Sequence, residues 1–274
     1  METTHNFKIK NLITPESIEG ETLKFSAPNY PSIRENEDFI EGELAINDQN
    51  VEDETIKNCL ELSCALLNKN YFQIELTRRH AGLCLNGNGH STETLKKPEE
   101  FEKFFNKSLL LSKGDQRFNH AKNWFLRSIK LMDPVDKFIY SWITFECLYG
   151  CLGNNKPKGN IKGIEYLIGN NYPEPGIRKE IVETHKDKFS YLSSLSLKDE
   201  RSKTNWSEEL KSSLESDHVE KIIINGVMAI AMIRNSIFHG DIVDRNLEAG
   251  NCFFPLNHLN SEIIKKFILK SCPT

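Results

Sequence analysis

An arginine, an amide and a histidine lie close together in the segment Arg234–Gly240, which reads RNSIFHG. Histidine titrates near neutral pH and can transfer protons. Arginine keeps its positive charge and can grip phosphate oxygens with a planar fork of N–H donors. Asn235 can hydrogen-bond a phosphate or orient His239. RNA cleavage without a metal needs a base for the 2′-hydroxyl, an acid for the 5′-oxygen and a cation for the phosphorane, so this segment suits that chemistry.

A carboxylate joins these candidates from another part of the chain. Glu146 falls on the apolar stripe of a predicted helix, Val135–Tyr149, four residues after Trp142. An acidic group on an apolar face needs a partner or an altered pKa. We therefore predict that Glu146 is buried and contacts Arg234 or His239. A salt bridge that pins the helices and a carboxylate that orients the other two residues are both compatible with this position.

A long apolar helix must position the segment Arg234–Gly240. Asp217 is predicted to cap its start together with Glu220, and apolar residues follow at steps of three and four. Gly240 is a natural C-terminal stop. A helix of about 22 residues this apolar belongs inside a bundle. Residues five apart are separated by roughly 140° on a helix, so Asn235 shares a face with His239 and Arg234 does not.

Basic residues cluster before this helix. The run from Lys103 to Lys130 contains seven Lys and Arg residues against one acidic residue, and a Gly, Asn and Lys-rich loop spans 150–163. Either stretch can be a solvated surface or a phosphate-binding surface. The acidic run from Glu35 to Glu54, with nine Asp and Glu and no Lys or Arg, can likewise be a solvated face or an interface. The candidate RNA-binding residues are Arg117, Lys122, Arg127, Lys130, Lys156 and Lys158.

The composition is that of an ordinary globular protein. The chain has 274 residues, of which 38% are hydrophobic and 27% charged, and its net charge of −4 excludes a uniformly basic nucleic-acid binder. No apolar run reaches the roughly 18 residues of a membrane span, and the N-terminus lacks the features of a signal peptide. Seven irregularly spaced cysteines without a CxxC pair indicate reduced thiols and argue against zinc. We expect a cytoplasmic protein that does not contact membranes.

Two regions differ in their patterns. Residues 1–105 alternate short strand patterns, at 7–12, 22–27, 39–46, 71–76 and 82–85, with one helix at 52–67, and are predicted to form a small α+β module. Residues 106–274 show helical periodicity, including helices at 115–131 and 135–149 and a last helix at 261–269. The predicted fold is mainly α, with a C-terminal helical bundle preceded by the small N-terminal module.

The pattern Arg-Asn-x-x-x-His at the end of a long apolar helix resembles the signature of HEPN domains. The segment Phe138–Leu148, with the pattern FxxxWxxFExL, resembles the Apea-like, abortive-infection branch of that superfamily. The resemblance covers roughly residues 106–274. It implies an all-α, HEPN-like bundle and a metal-independent endoribonuclease that needs no cofactor, acts on single-stranded RNA in phage defence or a toxin–antitoxin-like system, and works as a homodimer.

The same resemblance assigns the candidate catalytic residues, which are Arg234, Asn235, His239 and Glu146. It also implies a regulatory or antitoxin protein as a further partner. Some HEPN domains have lost activity, so a non-catalytic module that binds a partner protein or a nucleotide is the alternative. An Arg–Glu pair with a histidine stabilised by the helix dipole would give the same residue pattern without catalysis.

Overall fold

The computed structural model describes the backbone of residues 3–10, 12–13, 18–19, 23–26, 39–46, 51–68, 74–77, 93–94, 98–151, 159–199, 202–240 and 244–270. Side chains are described within 51–67, 100–151, 161–199, 202–240 and 244–270. Within these ranges the protein is mostly helical, which confirms the mainly α class. Lys156, Lys158 and the strand predicted at 82–85 lie outside the described residues.

The chain divides into two compact units. The first comprises Met1–Gly114 and Ile268–Thr274, and the second comprises Asp115–Phe267. The domain boundary predicted after residue 105 falls inside a helix, Pro98–Gly114, at whose end the first unit gives way to the second.

The first unit contains a five-stranded antiparallel sheet in the order β3–β4–β5–β1–β6. A short parallel pair, β2–β7, is also present. The strands are β1 (Thr3–Lys10), β2 (Leu12–Ile13), β3 (Ile18–Glu19), β4 (Leu23–Ser26), β5 (Phe39–Ile46), β6 (Ile74–Thr77) and β7 (Glu93–Thr94).

Two helices of the first unit pack against each other, α1 (Asp53–Asn68) and α2 (Pro98–Gly114). Apolar residues recur along both at helical spacing and are buried, including Ile56, Leu60, Phe101 and Phe105. A buried contact between Cys59 Sγ and Ser112 Oγ, at 3.6 Å, joins the two helices.

The second unit is built from eight helices and one short hairpin among its described residues. The helices are α3 (Gln116–Lys130), α4 (Pro134–Gly150), α5 (Asn160–Gly169), α6 (Pro175–Thr184), α7 (Lys186–Ser194), α8 (Trp206–Glu215), α9 (Val219–His239) and α10 (Arg245–Lys270), the last of which ends in the first unit. The hairpin pairs β8 (Lys198–Asp199) with β9 (Thr204–Asn205).

Helices α3 and α4 begin where side-chain caps predict. Asp115 accepts hydrogen bonds from the backbone N–H groups of Arg117 and Phe118, and Asp133 accepts one from Asp136. Pro134 follows Asp133 at the first helical position, where its missing N–H costs nothing. The two helices pack along each other and α4 is pinned to α10, since the buried Asn260 Nδ2 donates to Ser141 O at 2.8 Å.

Helix α9 is the central element of the second unit. It contacts α5, α6, α7 and α8, and its buried side chains include Ile222, Ile223, Ile230 and Ile233. Full burial of each such side chain contributes about 1.5–3 kcal/mol. By length and hydropathy α9 also passes the criterion for a membrane span, but 61% of that window is buried inside the protein. Core helices of soluble proteins pass the same test.

Two predicted helix starts were wrong. Helix α9 begins at Val219 rather than after a capping Asp217, which has a positive φ of 50° and therefore lies outside the helix. The last helix begins at Arg245 rather than Ser261 and continues through Pro255. Burial of Cys252, Leu256 and neighbouring apolar residues offsets the cost of about 3 kcal/mol for an interior proline.

Candidate functional site

The C-terminal turn of α9 presents the predicted site residues. Gly240 ends the helix in the left-handed conformation, with φ of 80°, and its N–H donates to Ile237 O at 3.3 Å. Ile233 and Ile237 are buried and fix the turn to the core. Arg234 lies at the edge of this core, whereas Asn235 and His239 are exposed. The sequence pattern therefore places the apolar side inward and the polar groups at the surface.

Glu146 of α4 contacts Arg234 of α9, as predicted. Glu146 Oε1 lies 3.7 Å from Arg234 Nη2, and the same oxygen accepts a hydrogen bond of 2.8 Å from the indole Nε1–H of Trp142. The prediction that Glu146 is buried was wrong. Its side chain is 35% exposed and that of Arg234 is 31% exposed. The apolar stripe stops short of the carboxylate, because the pair lies at the rim where both helices meet solvent.

Aromatic rings and an amide complete the surroundings of Arg234. Its guanidinium carbon lies 5.8 Å from the ring centre of Trp142 and 5.2 Å from that of Phe238, both within cation–π range. Arg234 Nη1 donates to Asn235 Oδ1 at 2.8 Å. Of these contacts, the one to Asn235 is a hydrogen bond, whereas the one to Glu146 is an ion pair that is too long to be a hydrogen bond. The N–H groups of Nη2 therefore remain as donors for a ligand.

Tyr149 lies next to this group, one helical turn after Glu146 on α4. Burial raises the pKa of Tyr149 to about 12, with the Glu146 carboxylate adding to the rise and Arg234 opposing it. The ring packs edge-on against Phe145 and closely over Gly163, where a Cβ would come within 3.1 Å of it. Tyr149 therefore stays protonated at neutral pH and supplies a hydroxyl rather than a charge.

His239 is exposed one turn beyond Asn235. Its ring has no hydrogen-bond or ion-pair partner among the described residues, and its spacing of four from Asn235 puts both on one side of the helix. Arg234 and Asn235 are in direct contact, so a phosphate bound by Arg234 would also lie close to Asn235. The structure thus brings Glu146, Arg234 and Asn235 together, and His239 is exposed at the end of the same helix.

The basic residues predicted to form one surface do not all lie on one helix or at the surface. The run Lys103–Lys130 is split between α2 and α3, which belong to different units. Lys122 is completely buried, which excludes it as an RNA contact; it follows Phe118 by four residues and shares that helix's inward face.

The other basic candidates that the structure describes are exposed. Arg117 Nη1 donates to Gly150 O at 2.7 Å, at the end of α4 that also carries Glu146 and Tyr149. Arg127 stacks at 4.9 Å on Trp124, and Lys130 lies three residues further along the same side of α3.

Three site residues were not assigned a role from the sequence, namely Trp142, Tyr149 and Phe238. Helical spacing could have indicated each of them. Trp142 precedes Glu146 by four residues, Tyr149 follows it by three, and Phe238 follows Arg234 by four, which are the spacings of side-chain neighbours on a helix.

Within the described ranges, no group of three or more His, Cys, Asp or Glu side chains is arranged to hold a metal ion. Burial raises the pKa of the Cys64 thiol and of the Cys252 thiol well above the usual value. These two thiols are therefore neutral parts of the core rather than nucleophiles.

No protein-family model matches this sequence, and neither the curated proteins nor the solved structures include a significant match to it.

Proposed function

We propose that this protein is a metal-independent endoribonuclease of the HEPN type that cleaves single-stranded RNA. The observation that carries the proposal is the guanidinium of Arg234, in contact with Glu146 and Asn235, on the same helix end as the exposed His239. Arginine and an accessible histidine on one helix end supply the cation and the base that in-line cleavage requires. The HEPN-like helical bundle, the small α+β N-terminal module and a cytoplasmic role in phage defence or a toxin–antitoxin-like system belong to the same proposal.

The chemistry proceeds by attack of the 2′-oxygen on the adjacent phosphorus. The imidazole of His239 takes the 2′-hydroxyl proton, the new P–O bond forms, and the bond to the 5′-oxygen breaks. The leaving oxygen receives a proton from an acid, so the products carry a 2′,3′-cyclic phosphate and a 5′-hydroxyl. Arg234 binds the non-bridging oxygens, whose negative charge grows in the phosphorane. Glu146 does not touch the RNA and acts as a positioning residue for Arg234.

Single strands are the preferred substrate for geometric reasons. In-line attack needs a backbone that can rotate, and unpaired segments permit this while exposing the 2′-hydroxyl. Arg127 and Lys130 are exposed on α3 of the same unit, and their charges can attract phosphates. Cleavage is therefore expected to weaken as salt rises.

The test is incubation of the purified protein with total RNA in EDTA. Wild-type protein should cut, and its products should carry 2′,3′-cyclic phosphates. His239→Ala and Arg234→Ala should each reduce cleavage at least a hundredfold while the circular dichroism spectrum stays unchanged. Cleavage that continues undiminished in both variants, or that strictly requires a divalent metal, contradicts the proposal.

We further propose that two copies of the chain form the active unit. Among its described residues each copy supplies one histidine on the last turn of α9, whereas general acid–base cleavage uses both a base and an acid. A two-fold axis, the commonest oligomeric symmetry, can bring the ends of two α9 helices together. Mixing His239→Ala with Arg234→Ala protein tests this, because a shared site gives the mixed dimer an activity different from both parents. A fully active protein that remains monomeric by light scattering rules out the dimer.

One observation favours the alternative of a non-catalytic module that binds a partner protein or a nucleotide. Arg234 already has a carboxylate and an amide as partners, which a purely structural pair would also have. In that case a regulatory or antitoxin protein would bind the exposed helix end without RNA cleavage. The RNA incubation separates the two functions, since the module predicts no product in any buffer.

A further inference from the structure

We propose that Phe238 is the platform on which an unpaired base of bound RNA stacks beside Arg234. The inference rests on the proposed function only in taking single-stranded RNA as the ligand. Phe238 is 62% exposed, although full burial of such a side chain gains about 1.5–3 kcal/mol. An aromatic ring kept in solvent on the last turn of the most apolar helix is therefore available to a ligand.

The contact with Arg234 distinguishes this ring from the other exposed apolar side chains. The guanidinium carbon lies 5.2 Å from the ring centre, and it is the one ring or cation contact of Phe238 within the described residues. Phe254, also exposed, packs edge-on against Phe253 at 5.4 Å and makes no cation–π contact of its own within the described residues. Phe238 thus joins a flat apolar surface to a phosphate-binding cation, whereas Phe254 does not.

The spacing fits one nucleotide. A nucleotide presents a negative phosphate and a flat base a short distance apart. Here the guanidinium of Arg234 lies over a mostly exposed aromatic ring, with Asn235 and His239 on the same turn. Aromatic side chains bind single strands by stacking with any base, because every base has a π-face. Bases of duplex RNA are already stacked and cannot use such a platform. Phe238 would therefore select unpaired over paired RNA without strong sequence preference.

The experiment measures binding of full-length protein to a fluorescent single-stranded 2′-O-methyl RNA, which lacks the nucleophilic hydroxyl and cannot be cut by this chemistry. Phe238→Ala should weaken binding about tenfold, and Phe238→Leu should weaken it nearly as much because leucine keeps apolar bulk without an aromatic face. Phe238→Trp should restore it. The matched control Phe254→Ala should leave binding unchanged, and a duplex of the same sequence should bind all variants equally.

Several outcomes overturn the inference. They are single-strand binding that is unchanged in Phe238→Ala, equal weakening by Phe254→Ala, and a wild-type protein that does not bind the single strand. A fourth is a fall in molar mass in Phe238→Ala by light scattering, which assigns the ring to a protein interface instead. If the wild type cuts no RNA in EDTA yet Phe238→Ala loses single-strand binding, the ribonuclease proposal fails and the stacking platform stands. If RNA is cut but the Phe238 variants bind the single strand normally, the ribonuclease proposal stands and the stacking platform fails.

Discussion

Replacing Glu146 by glutamine separates the positioning of Arg234 from the stability of the fold. The Glu146–Arg234 pair spans 3.7 Å, longer than the roughly 2.7–2.9 Å of a charge-assisted hydrogen bond. Each side chain is about one third exposed, so the pair resembles a surface ion pair worth about 0.2–1 kcal/mol. A glutamine oxygen can still accept from Trp142 Nε1. We therefore expect Glu146→Gln to lower the free energy of unfolding by about 1 kcal/mol, well below the roughly 3–5 kcal/mol of a broken buried pair.

Glu146→Ala should cost more, for a different reason. Trp142 is 1% exposed, and removal of the carboxylate leaves its indole N–H without this acceptor. An unsatisfied buried donor costs about 1–3 kcal/mol. Urea unfolding followed by tryptophan fluorescence should therefore give the order wild type, then Glu146→Gln, then Glu146→Ala, in decreasing stability.

Glu146→Gln should reduce activity more than its small effect on stability would suggest. In Glu146→Gln the guanidinium of Arg234 loses its anionic partner and samples more positions, so kcat/KM for single-stranded RNA should fall about tenfold. Glu174→Gln is the matched control, because it removes an ion pair of 2.9 Å with Lys266 elsewhere in the same unit. The control should lose a similar free energy of unfolding and no activity. A loss above 3 kcal/mol in Glu146→Gln, or equal activities in the two variants, refutes the reasoning.

Two further predictions concern the packing and the pH dependence of the second unit. Gly226→Ala should destabilise by about 1–2 kcal/mol in urea unfolding, because its Cβ would lie 2.5 Å from the buried ring of Phe189, while Gly250→Ala, with open space around it, should stabilise slightly. A neutral or stabilising Gly226→Ala would contradict the helix packing. The pKa of His185 is lowered to about 4, mainly by burial and secondly by His258, whose Nδ1 lies 3.1 Å from His185 Nε2. At pH values between this pKa and the usual histidine pKa, the unfolded chain therefore binds a proton at His185 that the folded chain does not. Stability should fall by about 1–2 kcal/mol between pH 6.5 and pH 5, and His185→Asn should remove that part of the pH dependence.

The elements that carry the site follow from local rules and could be predicted. Asp115 and Asp133 cap α3 and α4, and Gly240 ends α9, because each supplies a hydrogen bond or a conformation that a helix end needs. The Glu146–Arg234 contact followed from a carboxylate on an apolar stripe that required a partner. The partial exposure of this pair could not be predicted from the sequence. Periodicity shows which face of a helix is apolar, but it does not show how deeply neighbouring helices cover that face.

The wrong predictions depend on packing between distant segments. Gly250 and Pro255 locally disfavour a helix, and only burial of the apolar residues around them against other helices makes α10 continuous. Lys122 carries a charge that composition assigns to the surface, but it lies on the inward face of α3, where the bundle closes over it. Both cases show tertiary burial overriding a local preference.

If the protein cleaves RNA as we propose, the titratable groups around Arg234 determine whether one chain can supply both the base and the acid. With its pKa raised to about 12, Tyr149 cannot accept a proton at neutral pH, and it is half-buried beside Glu146 and Arg234. Glu146 accepts from Trp142 and faces Arg234, so its carboxylate is engaged in positioning. Among the described residues of this turn, His239 has the side-chain type that most often transfers protons in enzymes. If it acts as the base, the acid must be the protonated hydroxyl of Tyr149, water or a group from a second copy of the chain. Water would give a rate limited by the uncatalysed departure of the 5′-oxygen, whereas a second His239 would give a bell-shaped pH profile with two titrating groups. The pH dependence of cleavage therefore bears on the stoichiometry of the active unit as directly as a measurement of molar mass does.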